Sequence, residues 1–212
     1  MPSRSGDNKL VYKIVLYGPS QSGKTAFLEY LYHEGGLSSG TLQQLKDSKG
    51  NTLFFDRVVS RVANAVFQCT TVPGAKQHKI QRKTMMEGAD GVIFVWDSVH
   101  KKLAENFWSF NELLENYGSL LLPDDVNKGK IPFVVVANKR DLQGLTPIGS
   151  IKEALNSSGL GDVLIYESIA PRGINVKKAF IYCAKQIVLA QISDLSGSHR
   201  PGKGAEAGLS DF

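Results

Sequence analysis

Two stretches, "GVIFVW" (a strand over Gly91–Trp96) and "IPFVVVA" (a strand over Pro132–Ala137), are apolar at every position with no polar alternation. A strand with one wet face alternates, whereas a strand covered on both faces does not, so these runs predict the buried centre of a parallel sheet. Further strands are predicted over Leu10–Tyr17, Thr52–Val59, Ala65–Thr71 and Val163–Glu167. Helical periodicity fills most of the gaps, over Lys24–His33, Lys79–Glu87, Lys101–Tyr117, Pro147–Asn156 and Asn175–Ile192. Strands alternating with helices predict an α/β doubly wound fold, with helices on both faces of a six-stranded, mostly parallel sheet. Thr52–Val59 and Ala65–Thr71 have no helix-length connection between them and are expected to form a hairpin, which makes one edge strand antiparallel.

Outside this pattern the ends are polar. Residues 1–8 are expected to be flexible. The tail from 195 to 212 is rich in Gly, Ser and Ala, too poor in apolar surface to offset its ordering entropy, and is expected to be disordered. Residues 9–194 are left as one domain. A chain of 212 residues supports one such core and is too short to expect two. No apolar run reaches the roughly 20 residues of a membrane helix. The N-terminus lacks the apolar segment of a signal peptide, and the end "LSDF" has no cysteine to prenylate. A cytoplasmic protein is expected, reaching a membrane or cell pole only through partners. Cys69 and Cys183 sit in apolar surroundings and are expected to be two buried thiols. The net charge of +5 suits solubility and does not point to nucleic acid.

The chemistry is concentrated in two motifs. "GPSQSGKT", Gly18 to Thr25, fits GxxxxGK[ST] and stands between a predicted strand and a predicted helix. Such a loop turns backbone N–H groups inward around phosphates, and the following helix N-terminus adds partial positive charge. Contacts to the nucleotide are expected from Gly18, Ser20, Gln21, Ser22, Gly23, Lys24, Thr25 and Ala26. Lys24 places an ammonium on the β- and γ-phosphates, and the Thr25 hydroxyl ligates Mg²⁺. The second motif, "NKRD", closes the strand "FVVVA" with Asn138, Lys139 and Asp141. A carboxylate there accepts both N–H groups on the guanine edge, and adenine offers no such pair of donors. Asn138 either faces the opposite edge of the base or ties this loop to the phosphate loop. Lys139 lays its aliphatic stem over the ring.

"KIVLYGPSQSGKT", "TLFFD", "TVPG", "GADGVIFVWDS" and "VVVANKRDL" together resemble a small Ras-like GTPase, most closely the MglA family of bacterial and archaeal GTPases. "TVPG" stands where most Ras-like GTPases have DxxG. The resemblance spans about residues 13 to 176. It implies a Ras-like domain that binds GTP and GDP with Mg²⁺, and a role in cell polarity or surface motility. It also implies a Roadblock-domain (MglB-like) regulator, with unknown effectors, at the switch regions. By the same resemblance Thr52 is the switch threonine and second Mg²⁺ ligand, with Thr41 the alternative, and Lys24, Thr52 and Gly74 are the catalytic set, Gly74 sensing the γ-phosphate through its N–H. Ala170 in "ESIAPRG" matches the final guanine-contacting motif, and Pro171 after it limits the transfer to a backbone contact.

The chain departs from the family where hydrolysis is carried out. The resemblance implies a Gln directly after "TVPG" to orient water and an Arg directly before "TLFFD" to neutralise developing charge. This chain has Ala75 and Asn51. Ser20 adds a side chain where many relatives have Gly, and Thr71 replaces the usual Asp. The expectation is tight GTP binding with very slow intrinsic hydrolysis. The alternative is a hydrolysis-deficient scaffold holding GTP structurally, and an ATP-using enzyme is disfavoured by "NKRD". The run "AKQHKIQRK" after "TVPG" offers Gln77 or His78 as a replacement for the missing Gln. Its Lys79, Arg82 and Lys83 are expected on one face, read first as solvated, with compensation for the lost catalytic residues by the basic run Lys76–Lys83, or docking of an acidic partner, as the alternatives.

Overall fold

A computed structural model of the chain describes residues 3–4, 10–34, 57–62, 65–121, 131–161 and 163–197. Its strands are β1 (Ser3–Arg4), β2 (Leu10–Tyr17), β3 (Arg57–Val62), β4 (Ala65–Thr71), β5 (Gly91–Asp97), β6 (Phe133–Asn138) and β7 (Ile165–Glu167). Its helices are α1 (Lys24–His33), α2 (Lys79–Met86), α3 (Leu103–Leu121), α4 (Ile148–Ser157) and α5 (Val176–Gly197). The sheet runs β3-β4-β2-β5-β6-β7. The five strands from β4 to β7 in that order are parallel, and β3 pairs antiparallel with β4 from Arg57↔Thr70 to Val62↔Ala65.

The uninterrupted apolar runs are explained by the two layers they separate. Along β5, Ile93 and Val95 face a core with Phe27 and Leu28 of α1 and Phe180 and Cys183 of α5. Val92, Phe94 and Trp96 face the other side, with Met86 of α2, Phe110 and Leu113 of α3 and Ile151 of α4. Every second residue is buried and so is every residue between, which removes the alternation. Cys69 on β4 and Cys183 on α5 are free thiols, fully buried on the same face. Burial pushes both upward, Cys183 to about 12.

Three expectations need correction. Among the described residues the sheet has seven strands, because Ser3 and Arg4, expected to be flexible, pair with Val11 and Leu10. β5 joins β2 only from Ile14 onward, so that side of Leu10 and Val11 is open to them. β3 continues to Val62, three residues past the predicted end, while residues 52–56 of the predicted strand lie outside the described residues. α5 carries on to Gly197, past the expected boundary at 194, and residues 198–212 lie outside the described part. Among the described residues no helix is long and apolar enough to cross a membrane.

Candidate functional site

The C-terminal ends of β2, β5 and β6 deliver the motifs to one edge of the sheet, outside which ligands bind in open α/β folds. β2 ends at Tyr17, and the chain turns through Gly18 at φ 143° and Gly23 at φ 102°. Both need glycine for reasons of space as well. A Cβ on Gly18 would stand 2.4 Å from the Val95 carbonyl oxygen, and one on Gly23 would stand 2.1 Å from Asn138 Nδ2. Gln21, exposed between them, holds φ 61°, a left-handed conformation unfavourable for a side-chain-bearing residue. α1 starts at Lys24 with no side-chain cap, so its first turn faces the loop with its backbone dipole. The Lys24 ammonium is buried in the loop and donates to the carbonyls of Gly18 (2.8 Å) and Pro19 (2.6 Å). Curled glycines, an uncapped helix start and an enclosed ammonium fit a bound phosphate chain. The half-buried Thr25 in the first turn is where a hydroxyl ligand to Mg²⁺ belongs.

The base-side motif is knitted to this loop. Asn138 is buried, and its amide bridges two segments, Nδ2 donating to the Ser22 carbonyl and Oδ1 accepting from the Ala170 N–H, both at 2.9 Å. Of the two roles left open for Asn138, the structure shows the tie. The Ala170 N–H, expected at the guanine, donates to Asn138 Oδ1, which places Ala170 beside the base-side loop. Lys139 takes φ 66°, and its ammonium reaches the buried Asp97 carboxylate at 2.7 Å, which stretches the stem across the loop. Arg140 binds Glu167 Oε2 (2.9 Å) and the Thr146 carbonyl (3.0 Å), closing the loop against β7. Asp141 is exposed, and among the described residues its carboxylate takes no hydrogen bond, so its acceptors face outward.

The third component is "TVPG". Val72 N–H extends the β2–β4 ladder by donating to Leu16 O at 3.1 Å. Gly74 then lies directly on the phosphate loop, since a Cβ there would meet Ser20 N at 2.4 Å and the Pro19 carbonyl carbon at 2.6 Å. Thr71 is buried at the end of β4. The basic face expected of Lys79, Arg82 and Lys83 is split. Lys79 and Lys83 are exposed, but Arg82 is buried against Glu112 of α3, with its Nε 2.8 Å from Glu112 Oε2. That approach is an ion pair without hydrogen-bond alignment at Nε. Gln77 is exposed and His78 half-buried. Phe107 packs edge-on to Trp96, and Trp108 instead carries the Lys76 and Arg82 cations on its ring at 5.2 and 5.1 Å. Thr41, Asn51 and Thr52 lie outside the described residues.

Asp97, Glu112 and Tyr17 were not singled out in the sequence. "VWDS" gave a signal for Asp97, a lone carboxylate ending an otherwise apolar strand.

A family profile described as the ADP-ribosylation factor family matches residues 3–187. The chain is a small GTPase of the Arf/Ras-like family. Mutual gliding-motility protein MglA of Myxococcus xanthus is 33% identical to this GTPase over 182 residues, covering 83% of this chain and 90% of that protein. Ras-related protein RABG1 of Arabidopsis thaliana is 25% identical over 195 residues, 88% of this chain and 89% of that one. Among solved structures, the Arl6 BBS3 small GTPase from Trypanosoma brucei with a bound GppNp analogue superposes with a TM-score of 0.65 over 85% of this chain and 99% of that one. At 22% identity that likeness speaks for the fold. As a member of the family this GTPase is a guanine-nucleotide-binding switch. The family typically binds Mg²⁺ with the nucleotide, hydrolyses GTP, and meets regulators and effectors through its switch regions.

Proposed function

We propose that this GTPase is a switch whose GTP state is long-lived because its own hydrolytic side chains are gone. The observation that carries the reading is the contrast between the two halves of the site. On the base side, Asn138 locks the guanine loop to the phosphate loop, and Asp141 is exposed with free acceptors for the guanine N1–H and amine. On the phosphate side, Lys24 meets the β- and γ-phosphates, and the backbone of Gly18 to Ala26 surrounds them. Thr25, with Thr52, would hold Mg²⁺, which would supply positive charge to the bound triphosphate. Gly74 presents its N–H to the terminal phosphate.

Beside Gly74, however, stands Ala75, a methyl that can neither orient nor deprotonate water, and Asn51 supplies no charge. Hydrolysis then depends on groups brought by a partner. A Roadblock-domain regulator docks at the switch regions, and the cellular role lies in polarity or motility, at a membrane or cell pole reached through partners. The similarity to a mutual gliding-motility protein of Myxococcus xanthus supports the motility reading.

The test is single-turnover hydrolysis of GTP preloaded with Mg²⁺, followed by chromatography of the bound nucleotide. GTP persisting for hours, yet exchanging with added nucleotide, supports the slow switch. Nucleotide that neither turns over nor exchanges would favour the structural scaffold. GDP formed within minutes would refute both.

A further inference from the structure

Arg82 sits among exposed lysines yet is itself 1% exposed. Its guanidinium grips the "TVPG" segment and the residues just after it, one of the switch regions, at three main-chain acceptors. Nη1 donates to the Pro73 carbonyl (3.0 Å) and the Ala75 carbonyl (2.5 Å), and Nη2 donates to the Lys76 carbonyl (3.2 Å). Nη2 also donates to Glu112 Oε1 at 2.9 Å, and the Trp108 ring covers the guanidinium at 5.1 Å. Glu112 accepts in turn from the Tyr17 hydroxyl at 3.1 Å, which raises the Tyr17 pKa beyond the effect of its burial.

Two positions in this network matter most. Pro73 and Ala75 flank Gly74, and Tyr17 is the last residue before Gly18. One cation therefore fixes the chain on both sides of Gly74 and anchors it to α3 and to the strand that launches the phosphate loop. A buried Arg–Glu pair is poor evidence of stabilisation, because apolar residues of like volume serve as well. The carbonyls converging on the guanidinium are different: the Ala75 carbonyl also accepts from the His78 N–H at 3.1 Å, but an apolar side chain at position 82 would take the donor from the Pro73 carbonyl.

We propose that Arg82 is a positioning residue for nucleotide discrimination. By holding the carbonyls either side of Gly74 it keeps the Gly74 N–H against the phosphate loop, where a terminal phosphate is recognised. Triphosphate binding then depends on Arg82 in a way that diphosphate binding does not. The inference rests on the reading above that Gly74 meets the terminal phosphate. GDP has no such phosphate, so loosening the grip leaves its binding intact.

Arg82→Gln and Glu112→Gln, each in the full chain, are to be compared with wild type for GTP and GDP affinity in Mg²⁺, using fluorescent analogues. Circular dichroism tracks the fold. GTP affinity should fall about tenfold or more, the effect of one charge-assisted hydrogen bond, while GDP affinity stays within about twofold. Equal weakening of both nucleotides, or an unchanged ratio, would overturn the inference, since a merely structural residue moves both together. Should Arg82→Gln not fold, the nearly isosteric Glu112→Gln decides by the same ratio. Wild type that bound neither guanine nucleotide would overturn the proposed function itself.

Discussion

Asn138→Ala isolates the tie between the two halves of the nucleotide site. The wild-type amide is buried and makes two hydrogen bonds, to Ser22 O and from Ala170 N, each 2.9 Å. Truncation leaves a backbone acceptor and a backbone donor in the interior without partners. Each orphan costs about 1–3 kcal/mol, so the substitution should cost about 2–6 kcal/mol. A domain holds only roughly 5–15 kcal/mol in all. At about 2–4 °C per kcal/mol for a domain of this size, the midpoint should drop by roughly 5–20 °C. Urea unfolding at fixed nucleotide concentration measures the loss, because bound ligand itself shifts the midpoint.

Asn138→Asp sharpens the test. It fills the same volume and keeps the acceptor for Ala170, but it sets an anionic oxygen against the Ser22 carbonyl. At neutral pH it should be at least as damaging as Ala. If Asp were milder than Ala, or if Ala cost less than about 1 kcal/mol, Asn138 would be filling space rather than joining loops. A third arm uses Gly23, whose added Cβ would collide with Asn138 Nδ2 at 2.1 Å. Gly23→Ala should be less harmful in the Asn138→Ala background than alone, although the strain of its φ remains in both.

Other outcomes can be checked in parallel. Ala75→Gln combined with Asn51→Arg should accelerate single-turnover hydrolysis by about 10³-fold or more, the scale of a supplied arginine finger, and no acceleration would refute the assignment of those positions. Asp141→Ala should weaken GTP by about 100-fold in calorimetry, and a change under about threefold would remove Asp141 from the base site. The Asp90 carboxyl is raised above the usual range, chiefly by burial and in spite of the Lys13 N–H it accepts at 2.7 Å. A raised carboxyl favours the fold in its protonated form, so its contribution is complete below the ordinary Asp value near about 4 and is lost as pH rises through the folded value. The stability of wild type relative to Asp90→Asn, from urea melts, should therefore decline from about pH 4 upward, and a flat difference would contradict the burial argument.

Much of this site could be read from the sequence because its motifs are local and sit at strand ends. Helix α1 begins at Lys24, where the phosphate-loop pattern places it, and β2 and β4 match their predicted limits. Periodicity located α2 but could not tell which of Lys79, Arg82 and Lys83 is buried. That choice depends on Glu112, thirty positions away along the chain and invisible to spacing. The same limit hid the partner of Lys139, because Asp97 belongs to another strand. β1 escaped notice because two residues carry no period at all. Ala170 was matched by position, but the competition for its single N–H became plain only once Asn138 was seen beside it.

The two cysteines make the protein a natural sensor of its own opening. Both thiols are 0% exposed and resist ionisation, so a thiol-reactive dye finds no thiolate on the folded surface. Cys69 lies on β4 and Cys183 on α5, packed into one layer, so labelling reports the lifting of α5 from the sheet rather than any rearrangement at the nucleotide. Dye uptake then follows the frequency of deep opening events. With these two thiols silent, a cysteine engineered onto the exposed face of α2 would be labelled selectively, giving a clean attachment point for watching α2 and the "TVPG" segment before it move.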